Sequence, residues 1–174
     1  MKQPFAILSA AVVAVLILAA GTAAAGDFRR AEWGMSKEEV REAELEAEPF
    51  GETELALTYQ GEVAGVGALI LYIFRDGKLV RGVYSFRIAG PETAIGDYRA
   101  VRSFLLDRHG PAAEEEIASA GSTEPADDDE LLRLVLSGAA SPTTTWHTEG
   151  TDIYLRLTEM DGNAAVEAHY LGRD

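Results

Sequence analysis

The sequence predicts an α+β domain in which helices pack on one face of an antiparallel sheet, in the order helix, strands, helix, strands. Three observations carry that reading. Ser36-Lys37-Glu38-Glu39 has the spacing of a helix-opening capping box. Two Asp-Gly dipeptides, Asp76-Gly77 and Asp161-Gly162, each sit between apolar runs and mark tight hairpins. Tyr98, Val101, Phe104 and Leu105 share a face at helical spacing before the stop signal Gly110-Pro111.

The first 25 residues are an address. Lys2 is the only charge before Asp27, Phe5 to Ala20 is almost entirely apolar, and Ala23-Ala24-Ala25 offers a small-residue cleavage site. That is the pattern of a secretory signal peptide, which places the protein in the periplasm or outside the cell. The competing reading is a retained anchor, since Phe5 to Ala25 is long enough to span a bilayer. Residues 26–174 then form a single domain. The chain contains no cysteine, so disulfides, thiolate metal sites and a cysteine nucleophile are excluded.

The capping box starts a helix predicted over Lys37 to about Ala47, with Val40, Ala43 and Ala47 as its apolar stripe and Pro49 and Gly51 as its stop. Leu55 to Tyr59 is the first strand. Gly67 to Arg75 and Lys78 to Ile88 form a hairpin through Asp76-Gly77. An unbroken two-residue loop places Phe74 opposite Leu79, Tyr72 opposite Arg81 and Ile70 opposite Val83. The other face then carries Leu69, Leu71, Ile73, Val80, Tyr84 and Phe86 without a charge, and is the expected core face. The wetter face, around Tyr72, Arg81 and Arg87, is the candidate interaction surface.

Gly90-Pro91 breaks the sheet, and Asp97 is the expected cap of a second helix from Tyr98 to His109. Residues 112–129 read as an acidic, flexible insertion. Asp127, three residues before Glu130, favours a short third helix over Glu130 to Ser137, although the run Leu131, Leu132, Leu134, Val135 and Leu136 also suits a buried strand. Thr143 to Thr148 is a strand. Ile153, Leu155 and Leu157 then alternate with polar neighbours and return through Asp161-Gly162 to Val166, Ala168 and Tyr170. Arg156, Glu167 and His169 fall on the opposite face. The repeated order of elements suggests a tandem pseudo-repeat.

The chain carries 29 acidic and 15 basic residues, a formal net charge of −14. Nucleic acid is an improbable partner, because binding phosphates needs a basic face. The acids crowd into Asp27–Glu54 and Glu114–Glu130, so the charge forms a coat at two places and the sheet face is the better place to look for function. Asp127-Asp128-Asp129-Glu130 lacks the turn residues and glycine of a calcium loop. His109, His147 and His169 have no metal-motif spacing. No Gly-x-Ser-x-Gly elbow, phosphate-binding loop or His-Glu-x-x-His is present. No catalytic residue, cofactor or metal is expected.

Trp33-Gly34-Met35-Ser36-x-x-Glu39-Val40 resembles the helix-opening motif of small bacterial envelope proteins, the outer-membrane-assembly lipoprotein domain of the BamE/SmpA type and the β-lactamase-inhibitor-like fold. From Phe28 to Pro111 the chain more closely resembles uncharacterised secreted bacterial proteins that open Phe-x-x-x-x-Trp-Gly-x-Ser. Those continue with a tyrosine-glycine strand, here Tyr59-Gln60-Gly61, and a Tyr-x-Phe-x-Asp-Gly-Lys-Leu hairpin, here Tyr72 to Leu79. They close a helix as His109-Gly110-Pro111 does. The resemblance implies an α+β fold used for protein contacts and brings no catalytic residue with it. The lipid-anchor cysteine is missing, and the acidic stretch Glu114–Glu130 is longer than the resemblance implies. The expectation is a non-catalytic secreted or periplasmic protein that binds another protein or an envelope component. The alternative is a carboxylate-based hydrolase of cell-wall sugars or peptides, which needs two acids in one cleft, one with a raised pKa.

Overall fold

The structure is a computed structural model and describes residues 26–119 and 125–173. The signal-peptide reading of residues 1–25 lies outside the described residues.

Eight strands form one antiparallel sheet: β1 (Glu48–Glu52), β2 (Ala56–Val63), β3 (Val66–Arg75), β4 (Lys78–Phe86), β5 (Glu114–Ser119), β6 (Ala140–Thr148), β7 (Thr151–Met160) and β8 (Asn163–Gly172). Their order across the sheet is β1-β2-β3-β4-β8-β7-β6-β5. Each half is a helix followed by four strands. The last strands of the two halves, β4 and β8, pair antiparallel at the centre, so the layout has a pseudo-two-fold axis between them. Helix α3 (Asp128–Leu136) interrupts the second half. Matching turns reinforce the symmetry. Asp76-Gly77 and Asp161-Gly162 all have φ between 51° and 81°, the left-handed geometry of a type I′ hairpin. Both outer strands blunt their free edges, β1 with Glu48, Pro49 and Glu52 and β5 with Glu114, Glu115 and Glu116.

All three helices lie on one face. Val40 of α1 (Lys37–Ala43), Tyr98, Val101 and Leu105 of α2 (Pro91–His109) and Val135 of α3 join one core cluster with Ile70, Tyr72, Leu155, Val166 and Tyr170. The segment before α1 fills the middle of that layer. Phe28 is fully buried against Tyr72, Tyr84 and Tyr170, with ring centroids 4.9 to 5.2 Å apart. It lies on Gly82, where a Cβ would come within 2.2 Å of its ring. Trp33 lies on Gly172 in the same way and donates from Nε1 to Thr151 Oγ1 at 2.9 Å. Gly34 (φ 86°) and Met35 exchange backbone hydrogen bonds with Leu79. Ser36 and Glu39 form the reciprocal capping box, which presents Val40 to the core. The whole Trp33–Val40 motif therefore ties the chain entry and α1 to the sheet centre.

Several elements differ from the sequence reading. Helix α1 ends at Ala43 instead of about Ala47, because the Glu44 carboxylate turns inward and accepts from the Glu46 and Ala47 N–H groups. Helix α2 begins at Pro91, with proline at the first turn and Gly90 as cap. Asp97 lies inside that helix and accepts from the Thr93 hydroxyl. The stretch 112–129 is not simply an insertion: Glu114–Ser119 is the edge strand β5, and Asp127 caps α3 by accepting from the Glu130 N–H. Residues 120–124 of that stretch lie outside the described residues.

The largest difference is in the first hairpin. Phe74 does face Leu79, but Ile73 faces Arg81, so Val80 is an extra residue in β4. This bulge shifts the register by one, and a one-residue shift exchanges the faces of a strand. Tyr72 therefore faces Gly82, and Ile70 faces Tyr84. The core face of β3 is Ala68, Ile70, Tyr72 and Phe74, not Leu69, Leu71 and Ile73.

Candidate functional site

Two regions bring chemistry-bearing side chains together. The first is buried under α1. Arg29 has φ 58° and points its guanidinium inward, donating to Glu44 from Nε at 2.6 Å and from Nη2 at 3.1 Å. The Tyr72 hydroxyl donates to the same carboxylate at 2.5 Å. The Glu44 side chain is 2% exposed and Arg29 14%. Burial works to raise the Glu44 pKa, but the hydrogen bonds from Arg29 and Tyr72 and the arginine charge outweigh it and hold the acid below its ordinary value. Burial, then the bond to Glu44, pushes the Tyr72 phenol well above its usual range.

Beside this cluster a cleft of about 480 Å³ opens between α1 and β1, with Glu44, Glu52, Arg41, Phe50 and Tyr59 in its walls. It holds two acids, as glycosidic chemistry needs. The hydrogen bond from Arg41 lowers the Glu52 pKa, as Arg29 and Tyr72 lower that of Glu44. A general acid needs the opposite shift.

The second region is the sheet face that no helix covers among the described residues. Strand register lays its side chains out in rows. One row runs Ile73, Arg81, Leu171, Asp152, His147. The next runs Thr58, Leu71, Val83, His169, Tyr154, Thr145. A third runs Gln60, Leu69, Ser85, Glu167, Arg156, Thr143. The middle row carries no charged side chain until it reaches Glu114 on the edge strand β5. Most of these side chains are half-buried by their neighbours, and Val83 is buried without belonging to the core cluster.

At the centre, Arg81 Nη2 lies 2.5 Å from His169 Nδ1, and His169 Nε2 lies 3.1 Å from Glu167 Oε2. An arginine nitrogen can only donate, so Nδ1 accepts and the ring proton sits on Nε2, facing Glu167. The bond from His169 holds Glu167 below its ordinary pKa. Arg81 Nε is buried without a hydrogen-bond partner. Arg87 donates to Gln60 Oε1 at 3.2 Å and stands 6.0 Å from the Phe50 ring centre.

Of the three residues expected to form the interaction surface, Arg81 and Arg87 lie on the open face. Tyr72 does not: it is 1% exposed and belongs to the core beneath α1, because the Val80 bulge reverses the pairing that placed it outside. The second hairpin adds Arg156, Glu167, His169 and Tyr154 to the polar groups of the open face. Their side of that hairpin was evident from alternation. That β4 and β8 pair and merge the two hairpin faces was not.

The three histidines stay apart. His109 Nε2 lies 3.1 Å from the Tyr170 hydroxyl on the helix side, and His147 Nδ1 lies 2.8 Å from Asp152. Among the described residues no three potential ligands converge as a metal group. In the acidic run, Asp127 and Glu130 accept backbone N–H groups and Asp128 is held by both terminal nitrogens of Arg99. In comparisons with protein-family models, curated proteins and solved structures, nothing matches this chain.

Proposed function

We propose that this is an exported, non-catalytic protein that binds another protein or an envelope component through the open face of its sheet. The observation that carries the reading is the contrast between faces. One face of the eight-stranded sheet is covered by three helices and the Phe28–Trp33 segment, and the other leaves Leu69, Leu71, Ile73, Tyr154 and Leu171 half-buried with no element over them among the described residues. Apolar side chains grouped on an uncovered face mark interaction sites, and here they flank the polar centre Arg81–His169–Glu167. The blocked edges β1 and β5 support docking on the face instead of strand addition at the edge. The signal-peptide pattern and the resemblance over Phe28–Pro111 point the same way.

The test is a photo-crosslinking residue placed at Tyr154, and separately at Arg99 on α2, in cells that make the protein. The reading expects crosslinks to one discrete partner from position 154 and not from position 99. Equal labelling from both positions, or labelling from position 99 alone, would remove it.

A further inference from the structure

The three histidines meet a proton differently. His147 Nδ1 faces the Asp152 carboxylate at 2.8 Å, so a charged ring only tightens that pair. His109 Nε2 faces the Tyr170 hydroxyl at 3.1 Å, and a hydroxyl can turn from donor to acceptor. His169 has no such freedom. Its Nδ1 lies 2.5 Å from Arg81 Nη2, a nitrogen that can only donate, and its Nε2 lies 3.1 Å from Glu167 Oε2. The ring must be neutral to accept from Arg81. A second ring proton would sit on Nδ1, set hydrogen against hydrogen and place two cations in contact.

Among the described residues that bond is the only one the Arg81 guanidinium makes, and its Nε is buried without a partner. The Val80 bulge puts Arg81 on this face, opposite Leu171 of β8. The ring's own row has Val83 on one side and Tyr154 on the other. Asp152 and Arg156 stand diagonally across β7, with Asp152 engaged by His147 and Arg173. Glu167 feels the charges of Arg81 and Arg156 as well as the ring, but its hydrogen bond is to His169.

We infer that His169 is a pH-sensitive latch: protonating its ring breaks the bond to Arg81 and frees that guanidinium at the centre of the open face, while the ring keeps its bond to Glu167. Histidine is the side chain suited to such a switch, because imidazoles change charge in the range where other side chains do not. A charged ring donates to a carboxylate more strongly than a neutral one, so the proton favours Glu167 as the ring's partner and repels Arg81. The bond that breaks lies on the surface of the sheet, so the core is untouched and only the face is switched. The device belongs to this chain alone and holds whether or not the face docks a partner.

The test follows the isotopically labelled protein by NMR from neutral to acid pH. At neutral pH the His169 ring should carry its proton on Nε2 and none on Nδ1, and the Arg81 Nε–H should exchange slowly with water. As the His169 ring titrates, that exchange should speed up about tenfold relative to Arg87, with the ring's own midpoint, because the hydrogen bond that anchors the guanidinium is lost. His169→Gln offers Arg81 an acceptor that takes no proton, and should abolish the response. The exposed variant His147→Gln should leave it intact. A proton on Nδ1 at neutral pH, an Arg81 that stays slow through the ring's titration, or a ring that remains neutral until the protein unfolds would each overturn the latch. So would a response that survives in His169→Gln or vanishes in His147→Gln. None of these outcomes bears on the docking face, which the crosslinking experiment tests separately.

Discussion

The two faces of the sheet carry similar side chains in β3 and opposite roles. Ala68, Ile70, Tyr72 and Phe74 point into a core with the helices, while Leu69, Leu71 and Ile73 point to a side with no helix over it among the described residues. The charges are arranged differently on the two sides: the helix side holds the largely buried Arg29–Glu44 pair, while on the open side Arg81 bonds His169 and Arg87 bonds Gln60. Stability and recognition are thereby placed on different surfaces of one layer, and substitutions should separate them.

Glu44→Gln should be the most costly. It removes the nearer of Arg29's two counter-charges and leaves Glu46 at 3.5 Å, and breaking a largely buried pair from one side costs about 3–5 kcal/mol. Urea unfolding measures this, and a loss under 1 kcal/mol would mean Arg29 reaches water readily. Leu155→Ala, at a fully buried core position, should cost about 2–5 kcal/mol. Gly82→Ala should cost about 1–3 kcal/mol by overpacking Phe28. The double variant with Phe28→Leu should recover much of that loss, which a double-mutant cycle reads directly. Leu71→Ser, on the open face, should change stability by less than about 1 kcal/mol while weakening partner crosslinking at position 154.

Acid should act through the helix side. Burial, assisted by the Arg108 charge, pulls the His109 pKa from 6.5 down to about 4. The unfolded chain therefore takes up this proton first. The contribution is intact above about pH 6.5 and drains as pH falls toward 4. His109→Gln should flatten the melting temperature across that window. Glu44, whose folded pKa is also lowered, loses its contribution at still lower pH, as the acid passes below the ordinary carboxylate value of 4.5. A melting temperature that does not fall between pH 6.5 and 4 would show that His109 is open to solvent.

What the sequence revealed was local. Dipeptides with left-handed backbone fixed the hairpins, Ser36 and Asp127 fixed two helix starts, and the C-terminal hairpin showed its faces because only one of them is apolar. In β3 both faces are apolar, so alternation holds no signal and the single extra residue Val80 decides the outcome. The early end of α1 was hidden for a different reason. It depends on Arg29 and Tyr72, 15 and 28 residues from Glu44 in the chain. The open face was only half legible, since it exists through the pairing of β4 with β8, strands far apart in sequence.

Hydroxyl-radical footprinting tests the division between faces most directly, because it reads side-chain exposure on both at once. The account expects oxidation at Tyr154, Leu71 and Ile73 and protection at Tyr72, Ile70 and Tyr170. Oxidation at Tyr72 and Ile70 with protection at Leu71 would mean the first hairpin holds the unbulged register, and the open face would not exist as described.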